Sequence, residues 1–298
     1  MKRQLFRLAL AATITALVIP VSAQAQTVKR DLGVTYGEAR TADGRMPLKL
    51  DLVRRSDPCD TLRPTIIMIH GGGFISGSRS TGVHREYARE FLKRGWNAAS
   101  ISYPLAEDAP RPSAPYRDLL SEMELPDEKT DGQFLAAAAA MEATADAMRF
   151  FVKNSRSLCA DPERIVLLGS SAGAGTALRV GYGLDDAGID VPKSLAVIDY
   201  WGAYRLDTRS ISQRDAPLFI VHGTRDRTIS FSEAETLFAR GLATDTPMQL
   251  HAFRGKGHGW GQIRPDSAIG SGTVQTTMLA WLEQVVAGVR PKTLRTEN

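Results

Sequence analysis

The sequence predicts an α/β fold with a mostly parallel central sheet and helices on both of its faces. Short apolar runs that suit buried strands alternate along the chain with longer segments of helical periodicity, which is the pattern of successive βαβ units. The chain has 298 residues, of which 43% are hydrophobic, so it is long enough to bury a large core. No internal repeat interrupts the alternation.

Two strands come first, around a turn at 42–44, and strands and helices then follow one another. The run Thr65–Ile69 is continuously apolar, as expected of a strand that is buried on both faces. The first two strands are predicted at Asp31–Tyr36 and Pro47–Val53. Further strands are predicted at Asn97–Ser102, Ile165–Leu168, Ser194–Ile198, Leu218–Val221 and Met248–Phe253. Helices are predicted at His84–Arg94, Gln133–Lys153, Ala174–Val180, Ser232–Leu242 and Thr273–Val286.

Residues 105–132 break this pattern. The segment is rich in proline and acidic residues and has no clean periodicity. We interpret it as a surface excursion that could act as a lid, not as a separate domain. Residues 26–298 are therefore predicted to form a single domain.

The N-terminus has the composition of a cleaved signal peptide over residues 1–25. A basic start at Met1–Arg7 precedes the apolar run Leu8–Val21, and Ala23–Ala25 fits the small-x-small cleavage rule. The run is too short and too weakly flanked for a spanning helix, so no stable membrane anchor is expected. The prediction is export to the periplasm or the medium, and a buried N-terminal helix is the alternative.

Charge gives no sign of a polyanionic partner. The full chain has a net charge of +4, but residues 1–25 contribute Lys2, Arg3 and Arg7 and no acid. Without them 34 basic residues face 33 acidic ones, a net charge of +1. This balance does not support binding to nucleic acid or to an anionic membrane.

The two cysteines, Cys59 and Cys159, each lie six residues before a predicted strand. If those two strands are parallel neighbours, both cysteines lie at the same end of the sheet. Export makes a disulfide chemically feasible, so we predict that the two are bonded. Two free buried thiols are the alternative.

Ser171 is the predicted nucleophile. It is the serine of the Gly-x-Ser-x-Gly pentapeptide Gly169–Gly173, which follows the strand Ile165–Leu168 and precedes the helix Ala174–Val180, an order typical of a nucleophile elbow. The glycines are needed because side chains there would collide with neighbouring backbone. Amides at the start of the helix can stabilise negative charge. An ordinary strand–turn–helix junction is the alternative, and the motifs that follow argue against it.

His258 and Asp226 are the predicted base and acid. His258 lies in the glycine-rich loop Gly255–Trp260 after the last predicted strand, and Asp226 follows the strand Leu218–Val221. Their chain order after Ser171 is the order expected of such a triad. Asp226 could instead cap the next helix, which leaves Asp199 as the alternative acid. His70 is the rival to His258.

The glycine triplet at 71–73 is predicted to form an oxyanion hole. Bare backbone there lets amides face a tetrahedral oxyanion, and Gly72, Gly73 and Ala172 are the predicted donors. A phosphate-binding loop is the alternative, and it is disfavoured because no Gly-Lys-Ser/Thr or Gly-x-Gly-x-x-Gly pattern follows. The ring of His70 is expected to brace this loop.

Three aromatic residues near these motifs are candidate substrate-binding walls. They are Phe74, Trp201 and Trp260, with core packing as the alternative for each. No His-x-x-x-His or Cys-x-x-Cys pattern occurs, so neither a metal nor another cofactor is expected.

Together these motifs resemble the α/β-hydrolases of the carboxylesterase and hormone-sensitive-lipase-like group. The resemblance rests on His70–Phe74, Gly169–Gly173, the Asp226 loop and Gly257–Gly259, and it extends from about Thr65 to the C-terminus. Ser170 departs from the acidic residue that is common before the nucleophile in this group, which leaves the subfamily open.

The resemblance implies hydrolysis of a small or short-chain ester, such as an acetyl or aryl ester, through an acyl-enzyme intermediate and without a cofactor. In outline the chain is similar to small exported bacterial esterases. A serine peptidase of the prolyl-oligopeptidase type and a non-catalytic hydrolase-fold binding protein are the alternatives. Oligomeric state stays open.

Overall fold

The computed structural model describes residues 28–121 and 130–298, so the predicted signal peptide lies outside the described residues. The strands are β1 (Val28–Thr41), β2 (Gly44–Arg55), β3 (Arg63–Ile69), β4 (Asn97–Ile101), β5 (Ala160–Ser170), β6 (Ala196–Tyr200), β7 (Leu218–Gly223), β8 (Met248–Phe253), β9 (Ala268–Ile269), β10 (Gly272–Thr273) and β11 (Leu294–Glu297). The helices are α1 (Gly82–Lys93), α2 (Ala114–Ser121), α3 (Asp131–Lys153), α4 (Ser155–Leu158), α5 (Ala172–Tyr182), α6 (Phe231–Thr244) and α7 (Val274–Val286).

Nine of these strands form one sheet in the order β1-β2-β4-β3-β5-β6-β7-β8-β11. The pairs β1–β2 and β2–β4 are antiparallel. From β4 across to β11 every pair is parallel. The carboxyl ends of β3, β5, β6, β7 and β8 therefore lie along one edge, where ligands of open α/β sheets bind.

Both faces of the sheet are covered, as the apolar strands predict. In β3, Ile67 and Ile69 pack into one hydrophobic cluster, whereas Ile66 and Met68 pack into the other. Alternate side chains of a strand point to opposite faces, so a strand that is apolar throughout must be buried on both. Helices α3, α5 and α6 contribute to the first cluster, and α1 and α7 to the second.

The alanine-rich helix α3 packs unusually deeply. Its residues 136–141 are all buried, and it contacts β1, β5, α2 and α5. Small side chains let a helix approach its neighbours closely on more than one side. Thr130 caps its N-terminus by accepting a hydrogen bond from the amide of Gln133.

The fold class is as predicted, and several element boundaries differ. The first two strands extend further in a long hairpin, and β5 begins at Ala160, five residues before the predicted start. The polar strand β11 was not predicted, because it is recruited by parallel pairing with β8 and carries no apolar run of its own. Within 105–121 the chain forms α2, whose Tyr116 and Leu120 are buried. A lid function for 105–132 stays a prediction.

The predicted disulfide joins Cys59 to Cys159, with their Cα atoms 5.7 Å apart. Strands β3 and β5 are parallel neighbours, and their register pairs Arg63 with Ala160. This register brings both cysteines to the amino-terminal end of the two strands, as the equal spacing in the sequence required.

No helix in 28–121 or 130–298 has the length and apolarity to cross a bilayer. Nor do these residues contain a group of three or more His, Cys, Asp or Glu side chains arranged to hold a metal ion. Export stays a prediction.

Candidate active site

Ser171 lies in a sharp turn between β5 and α5. Its backbone has φ 54° and ψ −121°, a strained conformation for a residue with a side chain. The amide of Ser171 donates to the carbonyl of Tyr200 at 2.9 Å, which ties the turn to the end of β6. The hydroxyl is thereby held at the carboxyl edge of the sheet, at the first turn of a helix.

The glycines on either side of Ser171 are sterically required. A Cβ on Gly169 would lie 2.2 Å from the carbonyl oxygen of Gly173, and a Cβ on Gly173 would lie 2.2 Å from that of Ile69. Both contacts are with backbone, which cannot move aside without breaking the sheet or the helix. The turn can therefore form only with glycine at both positions.

The structure brings Ser171, His258 and Asp226 together in one hydrogen-bonded chain. The Ser171 hydroxyl donates to Nε2 of His258 at 2.8 Å, and Nδ1–H of His258 donates to Oδ2 of Asp226 at 2.6 Å. The Asp226 side chain is fully buried, whereas the His258 side chain keeps 20% of its surface exposed. A buried carboxylate thus orients a histidine that remains accessible from solvent.

Asp226 is held as a carboxylate by its surroundings. Its Oδ1 accepts hydrogen bonds from the amides of Thr228 at 2.8 Å and Ile229 at 2.9 Å, while Oδ2 faces His258 and, at 3.4 Å, Nε2 of His222. Burial opposes the charge, but these donors outweigh it, and the pKa of Asp226 lies well below its usual range.

His222 is a neighbour of the acid that the sequence analysis did not assign. Its Nε2–H donates to the carbonyl of Ile229 at 3.0 Å and lies close to Asp226. Burial disfavours the charged ring, yet Asp226, Asp199 and the Ile229 carbonyl raise the pKa of His222 above its ordinary value. The sequence signal that could have identified it was the four-residue spacing of His222 and Asp226, which flank one short turn at the end of β7.

The glycine loop approaches the turn at Ser171 closely. Gly72 has φ 114° and Gly73 has φ 63°, and a Cβ on Gly72 would lie 2.0 Å from the carbonyl oxygen of Ser76. The amides of Gly72, Gly73 and Ala172 donate no hydrogen bond to any residue in the described part of the chain. The side-chain amide of Gln133 donates to the carbonyl of Gly73 at 2.9 Å and holds the loop in place.

His70 lies under the loop. Its ring stacks on Tyr103 with centroids 4.2 Å apart, and its Nδ1–H donates to the carbonyl of Gly71 at 2.8 Å. The Tyr103 hydroxyl donates to the carbonyl of His70 at 2.7 Å. These contacts hold His70 against the glycine loop in a structural role. The histidine that contacts Ser171 is His258, not His70.

Comparison with known structures identifies the architecture. An esterase from the planctomycete Thermogutta terrifontis is 21% identical, with a TM-score of 0.61 over 88% of this chain and 92% of its own. MGS-M1, an alpha/beta hydrolase enzyme from a Medee basin deep-sea metagenome library, is 15% identical, with a TM-score of 0.60 over 88% of this chain and all of its own. The protein has the α/β-hydrolase fold.

Two family models each match a part of this hydrolase fold. The model described as BD-FAE matches residues 50–119, which include the glycine loop, and that of the prolyl oligopeptidase family matches 192–288, which include Asp226 and His258. Among curated proteins, the non-reducing polyketide synthase atr1 of Stereocaulon alpinum is 25% identical over 169 residues, or 56% of this chain. The match spans only 6% of that much longer relative.

Beside Ser171 the hydrolase fold has a cavity of about 270 Å³. Phe74, one of the three predicted aromatic walls, lines it with the glycine loop. The full lining is Gly73, Phe74, Gln133, Ser171, Ala172, Gly175, Arg179, Ala203, Arg205, Thr228 and Ile229. Sequence reasoning did not single out the two arginines, because neither belongs to one of the motifs and only the folded chain shows that both line the cavity.

Trp201 and Trp260 are not part of this lining among the described residues. Trp201 is almost fully buried, with its ring edge-to-face against Trp260 at 4.7 Å and against His258 at 6.1 Å. Trp260 also packs on Tyr200, with centroids 4.9 Å apart. The two indoles support the His258 loop from behind, and contact between either of them and substrate stays a prediction.

Asp199, the alternative acid, occupies a different position. Its Oδ1 accepts a hydrogen bond from the amide of Gly202 at 2.7 Å, and its Oδ2 is buried without a partner in the described part of the protein. Burial raises the pKa of Asp199 to about 6. It makes no hydrogen bond to His258, whose Nδ1 is taken by Asp226.

Proposed function

We propose that this protein is a serine hydrolase that cleaves small carboxylic esters through an acyl-enzyme intermediate. The observation that carries the proposal is the continuous hydrogen-bonded chain from Ser171 through His258 to Asp226 at the carboxyl edge of the sheet. Such an arrangement activates a serine hydroxyl that is otherwise a weak nucleophile.

In acylation, the Ser171 oxygen attacks the ester carbonyl while its proton passes to Nε2 of His258. Asp226 keeps Nδ1 protonated beforehand, so Nε2 is free to accept, and it stabilises the imidazolium that forms. His258 then returns the proton to the alcohol oxygen as the carbon–oxygen bond breaks. In deacylation, water attacks the acyl carbon and gives a proton to Nε2 of His258, which passes it to the Ser171 oxygen as the bond from that oxygen to the acyl carbon breaks and the acid leaves.

The amides of Gly72, Gly73 and Ala172 are the proposed oxyanion donors. None of them has an acceptor among the described residues, and Ala172 is the first residue of α5, where amides have no partner within the helix. Removing one donor of this kind typically costs about 3 kcal/mol of transition-state stabilisation. The proposed chemistry requires no metal and no other cofactor.

The cavity favours a small substrate. Its volume of about 270 Å³ lies just below the range of roughly 300–1,000 Å³ that is usual for pockets of drug-sized ligands. Phe74 supplies an apolar wall next to the nucleophile, which suits a short acyl or aryl group. The proposed partner is therefore a small-molecule ester.

A peptidase is the second candidate, since the prolyl oligopeptidase model matches the part of the chain that holds Asp226 and His258. The glycine loop at 71–73 lies outside the prolyl oligopeptidase match and within the BD-FAE match. Hydrolysis of dipeptide p-nitroanilides in preference to esters would favour the peptidase.

The direct test is hydrolysis of p-nitrophenyl esters from acetyl to dodecanoyl by the wild type and by Ser171→Ala. We expect short-chain turnover that Ser171→Ala abolishes without a change in its circular dichroism spectrum. Paraoxon, which phosphorylates the Thermogutta terrifontis esterase 2, should add one diethylphosphoryl group to the wild type and to the adjacent control Ser170→Ala, but none to Ser171→Ala. Label on Ser171→Ala would show that the nucleophile is a different residue.

A further inference from the structure

Two guanidinium groups line the cavity beside Ser171, and from them we propose that the natural substrate is an ester that also carries a carboxylate. This inference rests on the proposed role of Ser171 as the nucleophile. The two groups belong to Arg179 and Arg205.

Arg179 reaches the cavity along one face of α5. Ser171, Gly175 and Arg179 are spaced four residues apart, so they lie above one another on the helix, and side chains lean towards its N-terminus. A Cβ on Gly175 would lie 3.1 Å from Nη1 of Arg179, so the guanidinium occupies the space that the glycine leaves open. Gly175 lies about 6 Å along the helix axis from Ser171, which puts the charge within reach of a short substrate.

The Arg179 guanidinium is fixed in position and keeps a donor in reserve. Nε donates to the carbonyl of Tyr204 and Nη2 to that of Ala203, each at 3.0 Å. Within the described residues Nη1 donates no hydrogen bond, although the residue is only 4% exposed. The guanidinium is thus oriented by the protein and keeps one donor for a ligand in the cavity, and an anion can satisfy both this donor and the positive charge.

Arg205 adds a second positive charge at the same place. Its Nε lies 3.4 Å from Glu233, and neither of its terminal nitrogens makes a hydrogen bond within the described chain. Burial lowers the pKa of Arg179 to about 10, and repulsion from Arg205 contributes to the shift. Among the described residues the lining of the cavity contains two arginines and no carboxylate.

An arginine that only supports backbone carbonyls does not need to line the cavity. Arg240 shows this, because its guanidinium donates to the carbonyls of Ile211 and Arg209 and supports a loop without lining the site. Arg179 and Arg205 differ in that both residues line the cavity where the ester must bind. Guanidinium groups match the planar geometry of a carboxylate and pair with it through two parallel hydrogen bonds.

The test compares esters that differ only in charge. Monoethyl succinate, glutarate and adipate carry the carboxylate on the acyl side, and 4-acetoxybutanoate carries it on the alcohol side. Each is paired with its primary amide, in which an uncharged group of similar shape replaces the carboxylate. Rates are followed in a pH-stat at low ionic strength, and kcat/KM for acid and amide is expressed as a ratio.

We expect the ratio to exceed about 10 for at least one pair, the discrimination expected when a charged hydrogen bond is made to one member only. The pair that responds identifies the side of the ester that carries the charge. Arg205→Gln should bring the ratio several-fold closer to 1, as should added salt. Arg179→Gln should act in the same direction, and if it fails to fold, Arg205→Gln carries the test. The matched control Arg240→Gln should retain the wild-type ratio.

A ratio near 1 for every pair, or one that Arg205→Gln leaves unchanged, overturns the inference. Hydrolysis of the ester bond in the amide-bearing analogues would still support the proposed esterase. If the folded protein hydrolyses no ester and paraoxon does not label Ser171, the proposed function and this inference both fail.

Discussion

Replacing Asp226 by asparagine should abolish the proposed esterase activity while leaving the protein folded. In the wild type, Oδ1 of Asp226 accepts hydrogen bonds from the amides of Thr228 and Ile229, and Oδ2 accepts one from Nδ1–H of His258. If the asparagine oxygen takes the place of Oδ1, its amino group faces Nδ1 of His258. That group cannot accept a proton, so His258 adopts the Nε2–H tautomer and can no longer take the proton of Ser171.

The opposite orientation of the asparagine is no better. Its oxygen would then accept from His258, but its amino group would face the two backbone amides, and a buried donor left without an acceptor costs about 1–3 kcal/mol. The tautomer error in a serine triad costs about 10⁴ in kcat, which corresponds to about 5.5 kcal/mol in the barrier at 1.36 kcal/mol for each factor of ten. We expect a loss of this size.

The assay is kcat for p-nitrophenyl acetate, with the rate of paraoxon labelling as an independent measure of Ser171 reactivity. Asp199→Asn is the control, because Asp199 is also buried but makes no hydrogen bond to His258. The reasoning is refuted if Asp226→Asn keeps more than a tenth of the wild-type kcat, or if Asp199→Asn is the more damaging change.

Three further outcomes are expected. Gly173→Ala should destabilise the protein by more than about 3 kcal/mol in urea unfolding, because its Cβ would press on the carbonyls of Ile69 and His70. The control Gly261→Ala, with no atom within 4 Å of the new Cβ, should unfold like the wild type. Loss of the disulfide in the double variant Cys59→Ser, Cys159→Ser should cost about 2–5 kcal/mol, since the bond closes a loop across 100 residues, and an unchanged unfolding midpoint would contradict this. Burial raises the pKa of Asp199 to about 6, so the folded state holds this proton more tightly than the unfolded chain. The associated stability is fully present below the unfolded pKa of about 4 and is lost as the pH rises through 6. Asp199→Asn should therefore be more stable than the wild type at pH 8, by up to about 3 kcal/mol, and the gain should vanish at about pH 3; equal midpoints at both pH values would refute the sign.

Much of the frame was predictable because it depends on local patterns. Continuous apolar runs such as Thr65–Ile69 can be buried only between two layers, so they predict a parallel sheet with helices on both sides. The equal distances from Cys59 and Cys159 to their strands predict the disulfide once those strands are neighbours, and the structure pairs them.

Other elements could not be read from local pattern. Strand β11 is polar and short, and it exists because β8 offers a free edge. Helix α2 lies in a proline-rich stretch without periodicity, yet Tyr116 and Leu120 find burial against the core. In each case the element is stabilised by its neighbours and not by its own sequence.

The same division holds for the candidate site. Gly169–Gly173 by itself determined a tight turn with a serine at its apex, since only glycine tolerates the backbone contacts on both sides. The hydrogen bonds to Asp226 could not be assigned from the sequence, although His222, Thr228 and Ile229 all lie within four residues of it, because they depend on the conformation of the loop after β7.

The sequence by itself determined the class of fold, the turn that presents Ser171 and the chain order of its proposed partners. Each of these depends on short-range sterics or on hydrophobic periodicity. Only the tertiary structure decided that Trp201 packs behind His258, and that Arg179 and Arg205 meet beside Ser171. Contacts of this kind join side chains from different elements of the fold, and their distances are set by how the sheet, helices and loops pack.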